Sequence, residues 1–121
     1  MPGVPLQTDC DIAERRASVV SVAGDIDWTN SEDLHAAINQ ALTRDHLARL
    51  VVDLHGVNRI DSSGLGTLLD GLRVAQRKNV RFILCGLENS LRRVLERMRL
   101  SALFEIRPTR QDALQQFATS G

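Results

Sequence analysis

Cysteine is scarce in this chain. Cys10 and Cys85 lie far apart and neither belongs to a C-x-x-C pair, so two inert thiols in a reducing, cytoplasmic setting are expected. Long apolar runs are missing as well. No uncharged stretch approaches the roughly 20 residues that a membrane-spanning helix needs, and Met1 to Leu6 lack the basic and apolar regions of a secretory signal. Neither a membrane partner nor export is expected. Charge of one sign is not in excess either: 15 basic side chains face 15 acidic ones, which argues against nucleic acid as a direct partner. The chain's single lysine, Lys78, is outside any G-x-x-x-x-G-K-[ST] loop, and G-x-G-x-x-G is absent too. No phosphate-cradling loop is present, and no cofactor is expected.

What remains is ordinary for a globular protein. At 121 residues, 43% hydrophobic and 25% charged, there is room for one domain with one modest core. The pattern alternates strand and helix. "ASVVSVAG" (17–24) is β-branched and ends at a glycine, predicting a strand and then the turn "GDID". "TNSEDLHAAINQAL" places Leu34, Ile38, Ala41 and Leu42 on one helical face, and Thr29 with Glu32 has capping-box form. "LARLVVDL" (47–54) and "RFILC" (81–85) are nearly continuously apolar, as central strands buried on both faces should be. Between them a helix starts near Ser63, with Leu65, Leu68, Leu69, Leu72 and Ala75 inward. "SLRRVLERM" forms a third helix with Leu91, Val94, Leu95 and Met98 on one stripe. "LFEIR" makes a short last strand, and after Pro108 "RQDALQQFA" closes the chain with Leu114 and Phe117 inward. Such alternation predicts an α/β fold, a sheet with parallel pairs and helices packed on it.

The stretch "RIDSSGLGTLL" (59–69) carries the chemistry. Helical geometry advances about 100° per residue, so with Leu65 at zero its leucine neighbours fall within about 60° and Ser63 about 160° away. Ser62 falls on the sheet side and Ser63, with Thr67 and Asp70, on the solvent side. Asp61 or Ser62 can then cap the helix, a contribution of about 0.5–2 kcal/mol. Gly64 and Gly66 keep the neighbouring surface low, so that a partner can approach closely.

Three roles compete for Ser63. A nucleophile needs an adjacent base and an oxyanion site. The G-x-S-x-G elbow is absent, Asp61 standing where its first glycine would be. Asp53 and His55 can be imagined as triad partners, but His55, like His35 and His46, reads more simply as a surface or structural side chain. A phosphate acceptor demands less. Phosphoserine adds about −1.5 to −2 charge at neutral pH. At a helix N-terminus that charge meets unpaired amides and the positive dipole end, a gain of about 0.3–1 kcal/mol. The third role, two small polar residues filling a tight cap, fits the same residues.

The chain resembles the STAS domains, and among them the free-standing anti-sigma factor antagonists of bacteria. The similarity runs over about residues 15–118 and rests on "VAGDIDWTNSEDL", "RLVVDLHGVNRIDSSGLGTLL" and "LRRVLERMRLSALFEI", of which D-S-[ST]-G-[LIV]-G is the most specific element. Residues 1–8 are expected to be flexible, as chain termini commonly are, and the resemblance implies a single STAS-type α/β domain over residues 9–121. Its central mixed sheet would have four to five strands, flanked by about four helices. It implies no enzyme. The second serine of the pair, Ser63, would be phosphorylated by a cognate anti-sigma factor that is also a serine kinase, and a serine phosphatase would reverse this. The unphosphorylated form would bind the anti-sigma factor and free the sigma factor. Partner contacts are expected from Asp27, Trp28, Asp61, Ser62, Ser63, Gly64, Leu65 and Thr67. The runner-up is a STAS-type small-ligand or nucleotide-binding module not controlled by phosphorylation. Ser101 departs from the family pattern, which commonly has glycine there, so the bend before the last strand is expected to differ.

Two features keep competing readings. Trp28, the only tryptophan, is either a staple packing the first helix or an exposed anchor for the partner. Charge is segregated: residues 1–70 hold 5 basic and 11 acidic side chains, and residues 71–99 hold 8 and 2. The strip Arg92, Arg93, Arg97 and Arg99 is either a solvated face or a patch steering an acidic partner.

Overall fold

Apolar runs buried on both faces, rather than runs that alternate in polarity, build the centre of the sheet. In the computed structural model, which describes residues 6–10 and 16–115, five strands lie in the order β1-β2-β3-β4-β5. These are β1 (Leu6–Cys10), β2 (Ala17–Ala23), β3 (Arg49–Gly56), β4 (Arg81–Cys85) and β5 (Glu105–Arg107). β1 runs antiparallel to β2, and the other three pairings are parallel. The expected mixed α/β sheet is therefore present. Of the segment expected to be flexible, 1–5 lies outside the described residues and Leu6 already belongs to β1.

Helices α1 (Ser31–Leu42), α2 (Ser62–Arg77), α3 (Asn89–Arg97) and α4 (Arg110–Leu114) complete the fold. Successive strand residues point to opposite faces. Val20, Val52 and Leu84 thus join Leu34, Ile38, Leu68, Leu91 and Leu95 in the main core. Val19, Val51 and Ile83 join Cys85 and Ala113 in a smaller one under α4. No helix among the described residues is long and apolar enough to cross a membrane.

Several helix details differ from the expectation. α1 starts after Asn30, and no side chain caps it. The Thr29 hydroxyl donates to Asp27 instead, so there is no capping box. Met98 is 52% exposed, because α3 ends at Arg97 and Met98 turns away from the Leu91–Leu95 stripe. The bend after α3 is made by Arg99 at φ +60°, with Leu100 N–H donating to Leu95 O at 2.7 Å. The closing helix is short, since Gln115 is already extended. Ala113 is its buried residue, Leu114 is half-buried, and Phe117 lies outside the described residues.

Candidate functional site

Two connections meet at the C-terminal edge of the parallel strands. The turn between β2 and α1 and the loop between β3 and α2 are joined as a miniature extension of the sheet. Ile26 and Ile60 form an isolated parallel bridge. Ile26 N donates to Arg59 O at 3.0 Å, and Asp61 N donates to Ile26 O at 3.0 Å. Arg59 N donates to the Asp25 carboxylate at 3.1 Å. Asn30, buried beneath the turn, accepts from Asp27 N at 2.9 Å and donates to Asp25 O at 3.0 Å. Sequence reading missed Asn30. An asparagine before a helix signals a cap, and here it braces the turn instead.

Asp61 occupies the junction. As N-cap of α2 it accepts from Gly64 N at 3.1 Å through Oδ1. Its Oδ2 accepts from Trp28 N at 3.1 Å. Asp27 is held by the backbone and hydroxyl of Thr29, and these bonds, the hydroxyl's first, hold its carboxyl below the usual range. Trp28 is 74% exposed, so it is no staple.

The two serines are placed the other way round from the helical-wheel expectation. Ser62 is exposed and Ser63 is half-buried. Thr67 is buried as well, its hydroxyl 3.5 Å from Ser31 O. The wheel assumed a single buried direction, toward the sheet. α2 also packs sideways on α1, so the arc through Thr67 and Gly71 is covered, and Ser63 sits at that arc's edge one turn earlier. Gly64 and Leu65 are buried too. A Cβ on Gly64 would lie 2.5 Å from Ile60 Cγ1 and 2.7 Å from Ile26 Cγ2. Gly64 is therefore required for packing, and only Gly66, with nothing within 4 Å of its Cβ position, leaves the surface low. Of the expected partner contacts, Gly64, Leu65 and Thr67 are turned inward. Asp27, Trp28, Asp61, Ser62 and Ser63 are brought together at the surface. Among the described residues, neither serine hydroxyl takes part in a hydrogen bond.

A profile of the STAS domain matches residues 11–113. The chain belongs to the STAS domain family. It is 27% identical over 94 residues to a Paenibacillus polymyxa protein named anti-sigma F factor antagonist, covering 78% of each. It is similar to the crystal structure of an anti-sigma factor antagonist from Mycobacterium paratuberculosis, with a TM-score of 0.80, 28% identity, and 93% and 92% of the two chains covered. It also shares its fold with unphosphorylated SpoIIAA, at a TM-score of 0.70 and 19% identity over 90% and 93% of the two chains.

The imagined triad does not assemble in this STAS domain. Asp53 points to the α4 face of the sheet, where Arg110 Nε reaches its Oδ2 at 3.0 Å and His55 N reaches its Oδ1 at 3.0 Å. α2, with Ser63, packs on the other face. His35 instead meets Asp70 at 2.9 Å between α1 and α2. Cys85 is fully buried. Burial first, then the neighbouring Asp53 carboxylate, pushes its thiol up to about 12, so the inert-thiol expectation fits it. The side chain of Cys10 is outside the described ones. Among the described residues no cluster of His, Cys, Asp and Glu has metal-binding geometry. On α3, Arg93 and Arg97 are exposed and Arg92 half-buried, with Arg99 exposed beyond the helix.

Proposed function

We propose that this STAS domain is an anti-sigma factor antagonist controlled at Ser63. In this reading the unphosphorylated form binds a cognate anti-sigma factor, which frees its sigma factor. The same partner, acting as a serine kinase, phosphorylates Ser63 and so ends the interaction, and a serine phosphatase restores it. The observation that carries the proposal is the grouping of Ser63, Asp27, Asp61 and the exposed Trp28 around one helix N-terminus. The names of the relatives favour the partner class. The choice of Ser63 over Ser62 rests on its place in D-S-S-G, since Ser62 is the more exposed of the two.

The physics of such a switch is local. A phosphate on the first turn of α2 gains from its amides and dipole, so the fold tolerates it. The same charge enters a surface that already carries two carboxylates. Against a partner carboxylate at 4 Å, each unit charge costs about 4 kcal/mol at an effective dielectric of about 20. A net loss of about 3 kcal/mol is already more than a hundredfold in affinity. Incubation with the cognate anti-sigma factor and ATP should place one phosphate on Ser63 by peptide mass spectrometry. Ser63→Ala should abolish incorporation and Ser62→Ala should retain it. Phosphate on Ser62 would overturn the assignment.

The small-ligand reading has one observation in its favour, an open cavity of about 410 Å³ lined by Arg81, Arg107, Pro108, Asp112, Ala113 and Gln115. Both of its lining arginines are already paired with Glu105, which leaves the antagonist reading ahead.

A further inference from the structure

We infer that Asp61 is a positioning residue that acts through Trp28. Its carboxylate fixes the backbone of the exposed tryptophan to the N-terminus of α2. What Trp28 meets rests on the antagonist reading; how Trp28 is held rests on the geometry alone.

Each carboxylate oxygen of Asp61 accepts one backbone N–H, Oδ1 from Gly64 and Oδ2 from Trp28, both at 3.1 Å. One donor lies in the turn between β2 and α1 and the other in the first turn of α2, so one side chain ties the aromatic residue to the helix that carries Ser63. Trp28 is 74% exposed, and no ring packs against it among the described residues. Its backbone is nevertheless constrained on both sides. Asp27 N is held by Asn30, and Thr29 N is held by Asp27. A large aromatic group on a fixed backbone loses little conformational entropy on docking, which is what makes such residues effective anchors.

Asn at position 61 separates the two bonds. It has one carbonyl oxygen and one NH2 group, and it caps helices as well as Asp does. The oxygen keeps the local bond to Gly64 N. The NH2 then faces Trp28 N–H, donor against donor, and the Trp28 bond is lost.

Amide exchange on the intact chain is the test. In Asp61→Asn, exchange at Trp28 should speed up about tenfold relative to Gly64, while Asp61→Ala should accelerate both. With the cognate anti-sigma factor, Trp28→Ala and Asp61→Asn should each weaken binding about tenfold. The double variant should bind no more weakly than Trp28→Ala, because Asp61 acts through the tryptophan. An unchanged Trp28-to-Gly64 exchange ratio in Asp61→Asn would overturn the inference, as would fully additive binding losses. Failure of the wild type to bind any anti-sigma factor would remove the antagonist reading, and the exchange ratio would still decide the coupling.

Discussion

The paired glycines of D-S-S-G-L-G look equivalent in one dimension and are opposites in three. Gly64 faces Ile60 and Ile26 at distances no side chain tolerates, whereas the Cβ position of Gly66 is open. Gly64→Ala should cost about 1–3 kcal/mol through overpacking. Gly66→Ala, in an exposed helical position, should be neutral or stabilising by about 0.5–1 kcal/mol. Urea unfolding of the two variants distinguishes them, and equal effects would contradict the packing described. Cys85 gives a second prediction. With its thiol raised to about 12 and fully buried, it should stay unalkylated by iodoacetamide at pH 8 in the native protein and react on unfolding. Peptide mass spectrometry reads this directly. At this scale the sequence was only partly legible. The motif marked the helix start at which Asp27, Trp28 and Asp61 gather, but contacts such as Trp28 to Asp61 and Asn30 to Asp25 depend on how two loops meet. No local pattern encodes that meeting.

At the scale of elements, strand identity was clear because short apolar runs such as "RLVVDL" fit strands of a sheet covered on both faces. Helix faces were less clear. A leucine stripe reports contact with the sheet, yet α2 also buries Gly64, Thr67 and Gly71, small residues that a hydrophobicity pattern does not register. Leu68 nonetheless is fully buried in the main core, and Leu68→Ala should cost about 2–5 kcal/mol. Ser63→Ala, at the edge of the buried arc, should cost less than about 1 kcal/mol. A similar loss for both would mean that Ser63 is a core residue. The β4–β5 edge adds a pH dependence. Partial burial alone would raise the Glu105 carboxyl, but hydrogen bonds and charge from Arg81 and Arg107 outweigh it and hold the group below its ordinary 4.5. The stability this pairing supplies is present above that ordinary value. It is lost as pH falls through the lower folded value. Glu105→Gln should flatten this part of the acid limb in a pH series of thermal melts. An unaltered limb would show that the pairing contributes nothing.

For the whole molecule, charge balance conceals a division. Residues 1–70 carry 5 basic and 11 acidic side chains, and residues 71–99 carry 8 and 2. The Ser63 surface belongs to the acidic part, with Asp25, Asp27 and Asp61 around it. A phosphate there would add to charge of its own sign, so under the proposed function affinity for the anti-sigma factor should fall on modification, by repulsion, with the fold intact. Calorimetric titration of the cognate anti-sigma factor with wild type, Ser63→Ala and Ser63→Asp, at low and high salt, tests this most directly. Wild type and Ser63→Ala should bind alike. Ser63→Asp should bind at least about tenfold more weakly, with the gap narrowing as salt screens the repulsion. Binding of Ser63→Asp as tight as that of wild type would contradict the account.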